Sequence, residues 1–324
     1  VKLFNLLHWL LPETFPDRRS FISQYNHQEG KENLKEKVGR VMIRRYAEDV
    51  WFEIPGLSVE NISMPLTEQQ AELYRKMESS MLENHRMGYH ILNYLDKMKR
   101  VSVSPGLLSP FTLKNMETQE MVEIFPWQEE MVSGGQSFRF SVKDRELVVY
   151  RFLKEGGWEK IGSFKPKDQF FEGNIRYEVG QKIYPHDSNK FEYLEKIVEE
   201  VVKGKKQKLV VFTGMVEAIP YLQQKFEEKG IKTYGLYGEV LNKERVHQIS
   251  SFSQSSEPAI FFTTYQTGGE SINLQTAHYG VVLDQPWTYQ EREQMIRRLY
   301  RLGQNNEVRI WFLNSMNTID EYIG

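Results

Sequence analysis

FFTTYQTGGESINLQTAHYGVVLDQPW, residues 261–287, holds two unbroken apolar runs, each followed by a loop marked by glycine or proline. The first run belongs to AIFFTT (259–264) and the second to HYGVVLD (278–284); both are short and bounded by turn residues, so both read as buried strands. The same pattern repeats on either side. LVVF (209–212) is a strand followed by a helix through Tyr221, Leu222 and Phe226 to a Lys229–Gly230 stop. IKTYGLYG (231–238) continues as a strand ending at Gly238, Asn242 is placed to cap a helix carrying Val246 and Ile249, and VRIWFL (308–313) closes the series. Strands separated by helices of about ten to fifteen residues signal a parallel sheet covered on both faces. Residues 186–324 are therefore predicted to form one doubly wound α/β domain.

The rest of the chain has a different texture. Residues 1–108 read as helix-rich, through LFNLLHWLL, VMIRRYAEDV, a Thr67 cap opening TEQQAELYRKM, and HILNYLDKMKRV. Residues 109–185 alternate, as in SFRFSV, ELVVYRFL and IRYEV, with breaks at Gly134–Gly135, Gly156–Gly157 and Gly173, which predicts a β-rich insertion. A chain of 324 residues with 40% hydrophobic and 13% aromatic composition can bury a large core and suits two or three units. No apolar run approaches the ~20 residues of a bilayer span, and the apolar start lacks a cleavage pattern, so neither a membrane partner nor export is expected. With no cysteine there is no disulfide framework, and the seven histidines show no ligand spacing, so no metal site is expected. A net charge of −2 leaves any nucleic-acid contact to a local basic track.

Ligands of open α/β sheets bind beyond the carboxyl ends of the strands, which singles out the loops after AIFFTT and GVVLD. In the first, Gly268–Gly269 lets backbone N–H groups approach an anion, with hydroxyls of Thr263, Thr264, Thr267 and Ser271 nearby; an ordinary flexible loop is the plain alternative. In the second, Pro286 and Trp287 shape a turn. It leads into QMIRRLYRLGQ (294–304). Gln294, Arg298 and Arg301 are spaced to share one helical face, and Ile296, Leu299 and Leu302 a core face, whereas Arg297 is explained by Glu293 four residues before it. Such a face presents two arginines to one anion, unless it is simply solvated.

LVVFTGM, YGLYG with Arg245 downstream, residues 261–287 and QMIRRLYRLGQ, in that order, resemble the second motor lobe of the Swi/Snf-type DNA translocases of helicase superfamily 2. They fall at that family's fourth, fifth and sixth motifs. The sixth, Gln-x-x-x-Arg-x-x-Arg-x-Gly-Gln, is matched by Gln294, Arg298, Arg301, Gly303 and Gln304, with Tyr300 in place of the usual histidine. VKLFNLLHWLLPETF is similar to the helix after the third motif of the first lobe. VMIRRYAEDVWFEIPG matches the next family segment at Arg44, Arg45, Asp49, Val50 and Pro55, with Glu48 for the common lysine. LTEQQAELY, SPGLL and SNKFEYL follow in family order, and NTIDEYI resembles the start of the brace helix. Residues 109–185 have no counterpart.

The resemblance implies a RecA-like lobe that contacts double-stranded DNA and completes an ATP site. Arg298 and Arg301 would be its arginine fingers, Arg301 foremost. Gln294, Gly269, Gly303 and Gln304 would face nucleotide, and Thr213, Arg245, Thr264, Gly268, Gly269 and Trp287 the DNA backbone. Trp287 either packs on the arginine helix or touches DNA, and Arg44–Arg45 either braces the lobes or contacts phosphate. The sequence holds no GxxxxGK[ST] phosphate loop, nor an acidic pair followed by a residue and histidine. ATP and Mg are thus expected to be bound mainly by a first lobe preceding this chain, which alone should not hydrolyse ATP. The alternative is an inactive fragment serving as a nucleic-acid or protein binding module. An RNA helicase is disfavoured by the Gly-Gly-x-x-Ile-Asn-Leu form of the fifth motif. The lack of cysteine fits a cytoplasmic protein, and the absence of long lysine-rich tails with a compact loop set favours a bacterial or phage origin.

Overall fold

The computed structural model describes residues 2–39, 41, 55–85, 91–108, 110–124, 130–133, 136–143, 146–153, 155–238, 242–265 and 274–323. The chain divides into two compact units, Val1–Ile54 and Pro55–Gly324. In the first, helices α1 (Lys2–Leu10), α2 (Arg18–Tyr25) and α3 (Gln28–Gly39) bury Phe4, Leu7, Phe15 and Tyr25. Asp17 caps α2 by accepting from the Ser20 N–H at 2.9 Å. Arg44 and Arg45 lie outside the described residues.

The second unit begins with β1 (Leu57–Met64), α4 (Glu68–His85) and α5 (Ile91–Val103), and passes into the insertion through β2 (Phe111–Asn115), β3 (Met121–Ile124), β4 (Glu130–Ser133) and β5 (Gln136–Lys143). β6 (Glu146–Phe152), β7 (Trp158–Phe164), β8 (Gln169–Glu172) and β9 (Ile175–Gln181) complete it. α6 (Asn189–Val198), β10 (Leu209–Phe212), α7 (Ala218–Glu227), β11 (Thr233–Leu236), α8 (Asn242–Gln254) and β12 (Ile260–Thr263) follow. β13 (Tyr279–Val282), α9 (Tyr289–Leu299), β14 (Val308–Ser315) and α10 (Ile319–Ile323) end the chain.

Six strands form the predicted parallel sheet in the order β1-β14-β13-β10-β12-β11. Side chains alternate across it. Leu209 and Val211 enter a core with α6 and α7, and Val210 and Phe212 enter the opposite core with Phe252 of α8 and Met295, Ile296 and Leu299 of α9. The lobe is thus covered on both faces, and the central strand β10, LVVF, is apolar and buried along its whole length.

One expectation is corrected at Leu57–Met64. Read as part of a helical region, this stretch is an eight-residue strand, parallel to β14 from Leu57 opposite Val308 to Met64 opposite Ser315. Its Ser, Glu and Asn content hid it, and pairing with β14 overrides that weak local preference. The helix carrying Val246 also differs: it starts at Asn242 itself, and Val246 is 69% exposed, while Ile249 does reach the core.

The insertion is two four-stranded antiparallel sheets, β3-β2-β9-β8 and β4-β5-β6-β7, sharing one aromatic core of Phe111, Phe138, Phe140, Phe170 and Tyr177. Its stems are tied together where they leave the lobe: the Ser188 hydroxyl donates to Val103 O at 2.6 Å, and Ser104 Oγ lies 2.9 Å from His186 Nδ1. No helix among the described residues is long and apolar enough to cross a membrane.

Candidate functional site

From β10 the chain turns through α7 toward β11, and from β13 it turns the other way through α9 to β14. The adjacent carboxyl ends of β10 and β13 therefore form a topological switch point, where open sheets bind ligands. Asp284 lies there, fully buried. Its Oδ1 accepts from the Thr213 hydroxyl at 2.6 Å and the Gly214 N–H at 2.8 Å. Its Oδ2 accepts from the Tyr265 hydroxyl at 2.8 Å and pairs with Lys99 Nζ at 2.9 Å. Lys99, from α5, also donates to the Tyr265 hydroxyl at 2.8 Å and sits 4.8 Å from the centre of the Trp287 ring.

Burial pushes the Asp284 carboxyl up, but the Lys99 charge and the hydroxyl donors outweigh it and hold the group below the ordinary range. Burial, and then Asp284, push the Tyr265 phenol far up, so it stays a donor. The site also requires a glycine: a Cβ at Gly214 would lie 2.1 Å from the Tyr265 hydroxyl. A second buried pair abuts the first. Lys190 Nζ donates to Leu283 O at 2.8 Å and to Asp320 Oδ2 at 2.6 Å, and Ser102 of α5 donates to Asp320 Oδ1 at 3.2 Å.

The arginine segment departs from its predicted geometry. α9 is capped by Thr288, whose hydroxyl accepts from Glu291 N–H at 3.2 Å, and it stops at Leu299, with Tyr300 at φ −88°, ψ 90°. Gln294, Arg298 and Arg301 therefore do not share a helical face: Gln294 is exposed, Arg298 is buried and Arg301 lies beyond the helix, exposed. Leu302, expected in the core, is 63% exposed. Arg298 donates from Nη1 to Thr264 O at 3.0 Å and from Nη2 to Tyr265 O at 2.8 Å. Burial pushes its pKa down to about 10, still a cation at neutral pH.

Arg301 opens a turn closed by Gln304 N–H donating to Arg301 O at 3.0 Å, with Gly303 at φ +91°, a conformation that suits glycine. The Gln304 amide donates to Gln275 O and Ala277 O at 3.1 Å and Leu299 O at 3.2 Å, and accepts from Asn305 and Asn306 N–H. Gln304 and Gly303, expected to face nucleotide, thus shape and anchor the turn that carries Arg301.

The expected DNA set is likewise redistributed. The Thr213 hydroxyl is committed to Asp284 and to Met215 N–H, leaving its side chain buried rather than facing solvent. Thr264 is buried and offers its carbonyl to Arg298. Arg245 is half-buried, with Nη2 3.4 Å from Gly238 O. Trp287 is 42% exposed over Lys99, at the mouth of the switch point. Gly268 and Gly269 lie outside the described residues. Among the described residues no group of three His, Cys, Asp or Glu is placed to hold a metal ion. Lys99, Tyr265 and Asp284 were missed; an aspartate directly after the apolar run GVVL was the available signal, whereas Lys99 in DKMKR looks like a solvated charge.

A family model described as "Helicase conserved C-terminal domain" matches residues 189–303, and one described as "SNF2-related domain" matches residues 1–107. Chromodomain-helicase-DNA-binding protein 9 of Mus musculus is 24% identical over 324 residues, covering 98% of this chain and 10% of the relative. An uncharacterized ATP-dependent helicase of Mycoplasma pneumoniae is 27% identical over 184 residues, 54% of this chain and 18% of the relative. The chain spans about 10% of the length of the chromodomain-helicase relatives. In fold it is similar to the C-terminal part of the Fun30 ATPase domain, with TM-score 0.55, 16% identity and coverage of 83% of this chain and 89% of that one. The Sulfolobus solfataricus SWI2/SNF2 ATPase core solved with dsDNA gives TM-score 0.53 and 20% identity over 99% of this chain and 56% of that one. With both family models matching in order and the sixth-motif arginines intact, the chain belongs to the SNF2-related, Swi/Snf-type ATPases of helicase superfamily 2.

Proposed function

We propose that this chain acts as the second motor lobe of an ATP-dependent double-stranded DNA translocase, completing a nucleotide site whose phosphate loop lies on another lobe. The observation that carries this reading is Arg301, exposed on a turn whose backbone Gln304 fixes through its side-chain amide. An anchored yet solvent-facing guanidinium suits insertion into a site on an opposing surface. Phosphoryl transfer builds charge around the γ-phosphate, and a guanidinium delivered there stabilises it. Arg298 acts one step back, holding residues 264 and 265 in place. ATP and magnesium are held mainly by the lobe with the phosphate loop, and no residue of this chain is assigned to the metal.

The carboxyl edge, with Trp287 and Arg245, meets the DNA backbone, so contact positions the motor without reading bases. The dsDNA complex of the Sulfolobus protein supports this choice of ligand. Insertion of Arg301 requires closure of the two lobes, so a nucleotide cycle alternates the grip on the duplex. The test is reconstitution. The chain alone should show no hydrolysis, and joining it to a phosphate-loop lobe should give hydrolysis stimulated by duplex of any sequence, with affinity falling steeply with salt. Hydrolysis by the chain alone, or strong preference for one duplex sequence at fixed salt, overturns the reading.

A further inference from the structure

The lysine of the switch point comes from a helix that no part of the motor reading uses. Lys99 has no exposed side-chain surface, and its ammonium meets the Asp284 carboxylate, the Tyr265 hydroxyl and the face of the Trp287 ring. An ammonium has three donors, and these three partners sit on the loops after β12 and β13. Asp284 carries the connection on to the loop after β10 through Thr213 and Gly214. Of these groups only Trp287 is substantially exposed.

A buried ion pair is a poor way to gain stability, since apolar residues of the same volume do as well or better. A cation under an indole has another consequence: it fixes where the ring stands, because the ring face is drawn to the charge. We propose that Lys99 is a positioning residue for the duplex-facing edge: with its charge answered by Asp284, its ammonium seats the Trp287 indole. This rests on the reading of that edge as the DNA contact, and it adds a residue from outside the motor motifs.

Intrinsic fluorescence of the chain, minus that of its Trp287→Phe form, isolates the Trp287 signal. Lys99→Met should make that signal redder and more quenched by acrylamide, and Lys99→Arg should restore it, because a guanidinium also pairs with a carboxylate and stacks on an indole. If Lys99→Met does not fold, Lys99→Met with Asp284→Asn removes the orphaned carboxylate and still lacks the cation. An unchanged Trp287 signal in either folded variant overturns the proposal. Duplex binding supplies the second readout. Trp287→Ala and the neutral pair should each weaken affinity about tenfold, and combining them should weaken it no further, because both act through one ring. Multiplying losses would mean that Lys99 does not work through Trp287 and would overturn the proposal. If the unaltered chain fails to bind duplex, the motor reading falls, while the fluorescence comparison still decides whether Lys99 seats the ring.

Discussion

At the carboxyl edge of the parallel sheet Lys99 and Asp284 meet with neither side chain exposed, whereas on the insertion Arg151 faces Glu159 and Glu172 with 39% of its side chain in solvent. Both are ion pairs at hydrogen-bonding distance. At the edge, water is excluded and each charge answers for the others, so removing one group disturbs three loops at once. On the insertion Arg151 and Glu159 keep much of their hydration, and salt screens that pair, while Glu172 is more covered. The same contrast separates two arginines: burial lowers Arg298, while the Glu159 hydrogen bond and then Glu172 raise Arg151. Charges that position other groups are therefore to be found where hydration has been given up.

The largest effect belongs to a third arginine, exposed like Arg151 but anchored like the edge. In a protein that includes the phosphate-loop lobe, Arg301→Ala should lower DNA-saturated hydrolysis by roughly 10³–10⁵ while leaving ATP affinity nearly intact. Arg297→Ala should change the rate little, since Arg297 is exposed on α9 and its partner is Glu293 at 3.7 Å. Equal, small effects from both, measured as single-turnover rates, would mean that exposure on an anchored turn has no catalytic meaning here.

Next in size is the buried pair itself. Lys99→Met leaves the Asp284 carboxylate without its counter-charge and should cost ~3–5 kcal/mol in urea unfolding of the chain. Lys99→Met combined with Asp284→Asn should recover much of that loss, because the uncompensated charge is removed while the amide oxygen can still accept from Thr213 and Gly214. A double variant no more stable than Lys99→Met would show the edge to depend on its charges for stability as well as for position.

These two tests fall on residues of unequal legibility. The strands β10 to β14 were readable because short, largely apolar runs between helices have few other solutions, and the arginines because their spacing forms a motif. Leu57–Met64 was hidden by its polar residues, since a strand held by one long neighbour needs little β-propensity of its own. Lys99 and Lys190 were hidden for a different reason. A lysine within a helical stretch reads as solvated, and only the tertiary fold shows that each meets a buried aspartate. The break of α9 at Leu299 was likewise invisible, so Arg298 and Arg301, alike in the motif, receive different surroundings.

Acid gives a smaller and graded effect. Asp284 is depressed below its ordinary value of 3.8, so its contribution to stability is present above that value and lost as pH falls through its lower folded value. Unfolding free energy should therefore decline below about pH 4. Asp284→Asn should flatten that decline, and an unaltered acid limb in the variant would place the titrating group elsewhere.

The smallest effect is expected where the charges look most numerous. Arg151 bonds to Glu159 from Nε at 2.7 Å and to Glu172 from Nη1 at 3.2 Å, a denser set of carboxylate contacts than Arg301 has in this structure. Yet Arg151 and Glu159 remain partly hydrated, their strands β6 and β7 pair through backbone bonds that the side chains do not create, β8 with the more covered Glu172 is likewise held by backbone pairing to β9, and the core beneath them is aromatic and independent of charge. Arg151→Ala should leave thermal unfolding of the chain, duplex affinity and reconstituted hydrolysis unchanged within error. Raising the salt concentration should affect wild type and variant alike, because screening has already removed most of what the pair contributes. A loss of duplex affinity in Arg151→Ala would break the contrast between the two regions, since it would give the insertion a DNA contact of its own and extend the proposed binding surface beyond the carboxyl edge of the sheet.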